Sequence, residues 1–263
     1  MIKLASLKKL SLLLLIFALI GLLVRMESLE FMMAANLLDS PSDLGLVDLV
    51  FNLFTLPLLS IYWVLPLSFS LYYLNSFSET FEDDFFDILV LRFDSRPKFL
   101  YQQFKQLLEI LVEYLVLLLA SCLLLWFLLG HRLEDNHYHF IINQTPSPLL
   151  IDFTVVMVYI ILGLFMVGLL TLFLFLLTQN GFVVSLVILA LCLSHAVIYL
   201  INLPDYISAL LPFTQFSRAS SQIFQPFGLA VDWFTPIFQL TYLVLLILVL
   251  IIANTRIFNH FER

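Results

Sequence analysis

The sequence predicts an all-α polytopic membrane protein, folded as a single transmembrane domain over residues 1–263. Of these residues, 62% are hydrophobic and only 12% are charged, whereas about a quarter of a soluble domain is charged. The mean hydropathy is +1.05. Six apolar segments are candidates for bilayer-spanning helices, which need about 20 mostly apolar residues each. They are residues 9–25, 49–74, 105–130, 152–178, 182–201 and 236–254.

The first segment resembles a signal peptide in composition, because it follows Lys3, Lys8 and Lys9. No small-residue cleavage pattern comes after it; Arg25 and the letters MESLEF do. We therefore predict that residues 9–25 form a retained signal anchor.

The remaining segments differ in how they are interrupted. Pro57 and Pro66 predict a kink in the second span, which we expect to stay continuous. Only TQNG separates the fourth span from the fifth, which predicts a tight hairpin with Gly181 at its turn. Cys122 and Cys192 lie inside apolar runs, so we expect buried free thiols and no disulfide.

Residues 203–235, before the last span, are too apolar for a solvated loop and too rich in proline for a span. They form either short re-entrant helices or a loop lying on the membrane surface.

The distribution of basic residues predicts the orientation. With the N-terminus in the cytoplasm, nine of the twelve Lys and Arg residues fall on the cytoplasmic side. Cytoplasmic loops are enriched in these residues, so both termini are predicted to be cytoplasmic. Ten of the acidic residues lie outside, and the net charge of −7 is therefore mostly an exterior property.

Residues 76–98, here called the elbow, concentrate charge in an otherwise apolar chain. Ser76 and Glu79 form a capping box that predicts a helix start at Ser76. That helix would lie along the inner membrane surface, with phenylalanines on one face and carboxylates on the other. Pro97 predicts a break at Arg96, with Ser95 as the cap of the next helix.

Two interpretations of the elbow remain open. Its bases alone fit simple contact with lipid phosphates. Its row of acids does not, because acids are repelled by anionic headgroups, and this favours docking of a partner protein.

The run ILVLRFDSRPKFL, residues 88–100, followed by a long apolar helix, resembles permease subunits of type-2 ATP-binding-cassette (ABC) exporters. It is similar in particular to the small six-span permeases of Gram-positive bacteria. Asp94 departs from the glycine or small polar residue expected at its position in that run. The resemblance implies short re-entrant helices in the outer segment 203–235.

The resemblance also implies a half-transporter in a bacterial cell membrane. Two permease subunits, identical or different, would pair, and a soluble ABC ATPase would bind the elbow of each. The chain has no Gly-x-x-x-x-Gly-Lys-Ser/Thr loop, so ATP and Mg are expected on that separate subunit, with no cofactor and no catalysis on this chain. The cargo would be a peptide, a lipid or a drug. The implied ATPase contacts are Phe85, Asp87, Arg92, Asp94, Ser95, Arg96 and Lys98, with Gln179 and Asn180 as a lesser contact.

Four polar residues in the predicted spans are candidates for a functional role. Glu109 and Glu113 share one face of the third span, and Lys105 precedes Glu109 by one helical turn. They form either an interfacial ion-pair ladder or a coupling or pathway element. Ser194 and His195 lie in the fifth span, where a hydrogen bond between helices is the alternative to a proton or substrate role.

The sequence supports other classes of protein less well than a transporter. The outer histidines His131, His137 and His139 are expected in a solvated loop, so no metal site is predicted. No protease or hydrolase motif lies at membrane depth, which disfavours an intramembrane enzyme. The alternatives are a membrane immunity or scaffold protein that acts by binding alone, and a substrate-capturing subunit of a vitamin uptake system.

Overall fold

The structure is a computed structural model that describes Leu22, Met26 and residues 65–81, 96–128, 149–200, 205–216 and 231–260. Within these ranges the chain forms helices and turns and no strand. A short 3-10 helix, Pro212–Phe216, precedes the last α-helix. The α-helices are α1 (Leu65–Phe81), α2 (Arg96–Leu128), α3 (Leu149–Thr178), α4 (Gly181–Leu200), α5 (Asp205–Ser208) and α6 (Pro236–His260).

Two of the described helices are long and apolar enough to cross a membrane. They are α3 over the 22 residues Met157–Thr178 and α6 over the 23 residues Pro236–Phe258. At 1.5 Å per residue each is about 33–35 Å long, close to the thickness of the bilayer hydrocarbon, about 30 Å. Residues Gly181–Ser194 of α4 form a shorter apolar helix. The predicted span 9–25 and residues 49–64 of the second span lie outside the described residues, apart from Leu22.

Helix α3 organises the bundle, because it packs against α1, α2, α4, α6 and the 3-10 helix. Its side chains Leu164, Val167, Leu169 and Leu172 belong to one continuous apolar core. Helix α6 runs in the same direction as α3. The Tyr159 hydroxyl donates to the Pro236 carbonyl at the beginning of α6, and Asn254 near its end contacts Leu169.

Local sequence signals explain where two helices begin. At the beginning of α6 the Phe238 N–H donates to Thr235 Oγ1 at 3.2 Å, so Thr235 caps a helix whose first residue is Pro236. Pro97 lies in the first turn of α2, as the sequence predicted. Ser95, the predicted cap of α2, lies outside the described residues.

The predicted helix start at Ser76 is wrong. Helix α1 continues from the second predicted span through Ser76 to Phe81. No Gly or Pro follows Pro66 in this helix, and Tyr73 and Leu74 are buried one turn before Ser76. Because extending an existing helix is easier than nucleating a new one, the capping preference of Ser76 does not end α1. The elbow residues 82–95 lie outside the described residues.

The predicted outer segment contains short helices that pack on the bundle. The 3-10 helix packs against α3 and α6, and its residues Phe213, Thr214 and Gln215 are buried. Gln215 Nε2 donates to the Ala209 carbonyl at 2.6 Å, and the Tyr242 hydroxyl donates to the Leu210 carbonyl at 2.9 Å. Residues 209–215 are therefore held by α6 and by each other; residues 217–230 lie outside the described residues. Entry of this segment into the membrane stays a prediction.

Candidate functional site

The structure describes one part of the predicted ATPase contact. Arg96 and Lys98 lie in the first turn of α2, and Gln179 and Asn180 form the turn between α3 and α4. The other predicted contacts lie outside the described residues. They are Phe85, Asp87, Arg92, Asp94 and Ser95.

The turn between α3 and α4 is two residues long and exposed. Gln179 has a φ of 51°, in the left-handed region, and its N–H donates to the Phe175 carbonyl at 2.8 Å. Asn180 then caps α4, because its Oδ1 accepts hydrogen bonds from the N–H groups of Phe182 and Val183 at 3.0 and 3.3 Å. The placement of Gly181 at the turn is wrong: Gly181 is the first residue of α4, and Gln179 supplies the left-handed conformation.

This turn predicts opposite effects for two neighbouring substitutions. Gln179→Gly is expected to raise the free energy of unfolding by roughly 0.5 kcal/mol, because glycine adopts a left-handed conformation without strain but gains more freedom when unfolded. Asn180→Ala is expected to lower it by about 0.5–2 kcal/mol through loss of the cap. Unfolding by sodium dodecyl sulfate in detergent micelles measures both. Gln179→Ala is the control, and an effect as large as that of Gln179→Gly would contradict the explanation.

The acidic residues of α2 each have a partner. Lys105 Nζ lies 3.6 Å from Glu109 Oε1, and the two side chains are 57% and 62% exposed. Glu113 accepts a hydrogen bond from the Tyr72 hydroxyl of α1. Glu109 is thus part of an exposed ion pair on one helix, whereas Glu113 links two helices. Their roles in coupling or in a pathway stay predictions.

Hydroxyl groups inside the bundle connect helices that are far apart in the sequence. The Ser68 hydroxyl lies 2.7 Å from the Tyr114 hydroxyl, and the Ser70 hydroxyl lies 2.9 Å from that of Thr171. These two contacts join α1 to α2 and to α3. In an apolar surrounding such polar contacts favour one arrangement of the helices over others.

Asn254 is a buried amide that links α6 to α3. It is fully buried, and its Nδ2 donates to the Leu169 carbonyl of α3 at 3.1 Å and to the Leu250 carbonyl at 2.8 Å. Within the described ranges no donor reaches its Oδ1. Among the described residues, the neighbours of Asn254 thus offer two carbonyl acceptors to its Nδ2 and no donor to its Oδ1.

A close approach of α2 and α3 occurs at Gly168. A Cβ atom added there would collide with Leu107 Cδ1 and would lie 3.1 and 3.2 Å from Leu107 Cδ2 and Cγ. Leu107 is fully buried. The absence of a Cβ atom at Gly168 thus allows α3 to pack closely against Leu107 of α2.

Of the two polar residues predicted in α4, Ser194 and His195, the structure describes the side chain of Ser194. The Ser194 hydroxyl is exposed and donates to the Leu191 carbonyl of its own helix at 2.7 Å. His195 follows it on α4, and its role stays a prediction.

Cys192 is a buried free thiol. In the described part of the chain no group of three His, Cys, Asp or Glu residues could hold a metal ion, and the outer histidines lie outside that part.

The sequence interpretation missed Asn254, Thr171 and Ser70 as linking residues. An isolated polar residue in a long apolar helix is the signal that could have found Asn254, since such residues usually face other helices. Which helix it faces depends on the tertiary arrangement.

Comparison of the chain with known protein families, curated proteins and solved structures finds no match.

Proposed function

We propose that this chain is a multi-pass membrane protein and the permease subunit of an ABC exporter. Two permease subunits pair, and a separate ATPase drives alternating access by pushing on the elbow. One observation carries the proposal. It is the charged run from Arg92 to Arg96, which leads into the 33-residue helix α2, in a chain of which only 12% is charged.

The distribution of polarity supports placement of the bundle in a bilayer. Ser70, Thr171 and Asn254 are buried, while large apolar side chains point outward, the reverse of a soluble protein. Only 22% of the apolar window of α6 is buried inside the molecule. The outward-facing apolar residues include Leu108, Val112 and Val116 of α2, Phe182, Leu186 and Leu191 of α4, and Leu240, Val244, Leu245, Leu248, Val249 and Ile252 of α6.

The arrangement of helix ends supports the predicted orientation. Because α3 and α6 run in the same direction, the turn at Gln179 and Asn180 lies at the same end of the bundle as the end of α6, which carries Arg256. Both were assigned to the cytoplasmic side from the positions of Lys and Arg. This end of the bundle then offers the ATPase a second contact besides the elbow.

The test is purification of the tagged chain in mild detergent, followed by measurement of ATP hydrolysis per permease. We expect an ATPase to co-purify, and we expect the double charge reversal Arg92→Glu and Arg96→Glu to lower its retention by at least about ten-fold. Loss of charge pairs at an interface costs about 2–5 kcal/mol, and each 1.4 kcal/mol is a factor of ten.

The matched control is Arg218→Glu, a charge reversal on the predicted outer side, which is expected to leave ATPase retention unchanged. Full ATPase retention and transport in the double variant would contradict the elbow as the docking site. An intact chain that binds a partner without any ATPase and shows no nucleotide-dependent change would instead indicate a scaffold or immunity protein.

A further inference from the structure

The segments on either side of the 3-10 helix form a compact aromatic unit at the beginning of α6. We call residues 205–211 and 231–238 the aromatic cap. Ala209, Val231 and Phe234 form its small core, with Phe238 packed against them. The Trp233 ring meets the Phe238 ring edge-on with centroids 4.9 Å apart. The Tyr242 hydroxyl of α6 also donates a hydrogen bond to the Leu210 carbonyl, so the aromatic cap is attached to α6.

The aromatic cap carries large side chains that the molecule leaves exposed. Trp233 is 43% exposed although its ring packs on Phe238, and Tyr206, Leu210 and Ile237 are exposed as well. Asp232, next to Trp233, is also exposed. The cap therefore presents an indole and a phenol together with apolar side chains, and places a carboxylate immediately beside them.

The length of α6 relates this cap to the thickness of a bilayer. Pro236 and the exposed Arg256 are separated by a rise of about 30 Å along the helix, which equals the thickness of the hydrocarbon layer. The charged groups of Arg256 and Asp232 then lie at opposite faces of that layer. Trp233 falls at the boundary, where Trp and Tyr rings are enriched in membrane proteins.

We propose that the aromatic cap is an anchor in the lipid interface, with the rings of Trp233 and Tyr206 at headgroup level. The proposal rests on the membrane placement in the proposed function and not on the transport activity. Its surface continues through Ile237 into the outward apolar face of α6. A protein partner covering the same surface would have to bury the carboxylate of Asp232, whereas a bilayer leaves that group in water.

The experiment measures quenching of Trp233 fluorescence by brominated lipids in reconstituted vesicles. The variant Trp63→Phe with Trp126→Phe leaves Trp233 as the sole tryptophan. Three vesicle sets carry bromine near the headgroup, in the middle of the acyl chain or near its end. We expect the strongest quenching from bromine near the headgroup. The matched control adds Trp233→Phe and Leu245→Trp, which moves the sole tryptophan to an exposed position near the middle of α6, where bromine near the chain end is expected to quench most.

Three results would overturn the anchor. The first is strongest quenching of Trp233 by bromine near the chain end. The second is free access of aqueous iodide to Trp233 without quenching by lipid. The third is blue-shifted emission that is protected from both quenchers, which would indicate a protein partner or a second copy on the aromatic cap. If the variant without Trp63 and Trp126 does not fold, the difference between wild type and Trp233→Phe gives the same profile. Failure of the control tryptophan to contact lipid would contradict the membrane placement itself, and so separates the two proposals.

Discussion

Asn254→Asp is expected to lower the free energy of unfolding by about 3–5 kcal/mol, the usual cost of leaving a buried charge without a partner. Asn254 is fully buried and donates to the carbonyls of Leu169 and Leu250. A carboxylate there would face these oxygens with no hydrogen to donate. The loss is measured by unfolding in sodium dodecyl sulfate at neutral pH, and it should shrink at acidic pH, because a protonated carboxyl has an O–H that can donate to Leu169 again.

Two variants define what the Asn254→Asp result means. Asn254→Ala removes the hydrogen bond without adding charge and is expected to cost only about 1 kcal/mol, as is usual for such bonds between membrane helices. Gln102→Glu makes the same amide-to-acid change at an exposed position of α2 and should change stability by at most about 0.5 kcal/mol. Equal effects of Asn254→Asp and Asn254→Ala at neutral pH would show that residue 254 is reached by water.

Gly168→Ala is expected to lower the free energy of unfolding by about 1–3 kcal/mol, the range for overpacked cores. The new methyl group would collide with Leu107, which is fully buried, so α2 and α3 would have to move apart. Gly181→Ala is the matched control: nothing lies within 4 Å of a Cβ there, so stability should stay the same or rise by a few tenths of a kcal/mol. Unfolding in sodium dodecyl sulfate measures both.

A second substitution tests whether Leu107 is the cause. Leu107→Ala alone is expected to cost about 2–5 kcal/mol because it leaves a cavity. Combined with Gly168→Ala, the loss should be smaller than the sum of the two single losses, since the methyl group at residue 168 fills part of the space. Additive losses would mean that α2 and α3 do not meet at these two residues.

The ends of the helices could be predicted better from the sequence than their packing. Thr235 with Pro236 marks the beginning of α6, and the letters TQNG mark the turn between α3 and α4, because these signals act within a few residues. Gln179 shows the limit of such local rules. The glycine nearby suggested the left-handed residue, yet the capping bonds of Asn180 place that conformation on Gln179.

The contacts between helices could not be predicted, and the reason is physical. A helix such as α3 is apolar on every face, so its sequence does not distinguish the buried side from the side facing outward. The contact of Ser70 with Thr171 joins residues 101 positions apart, and that of Asn254 with Leu169 joins residues 85 apart. Only the shape of the packed bundle brings these groups together.

The proposed function requires the end of the bundle bearing the turn at Gln179 and Asn180 to face the cytoplasm, where an ATPase can push on it. Cysteine labelling tests this most directly, in a chain carrying Cys122→Ala and Cys192→Ala. Thr178→Cys and Asp232→Cys place single reporters at exposed positions near the two ends of the bundle. A membrane-impermeant maleimide applied to intact cells is predicted to label Asp232→Cys at once and Thr178→Cys only after permeabilisation. Labelling of Thr178→Cys in intact cells would contradict the orientation and, with it, the transporter assignment.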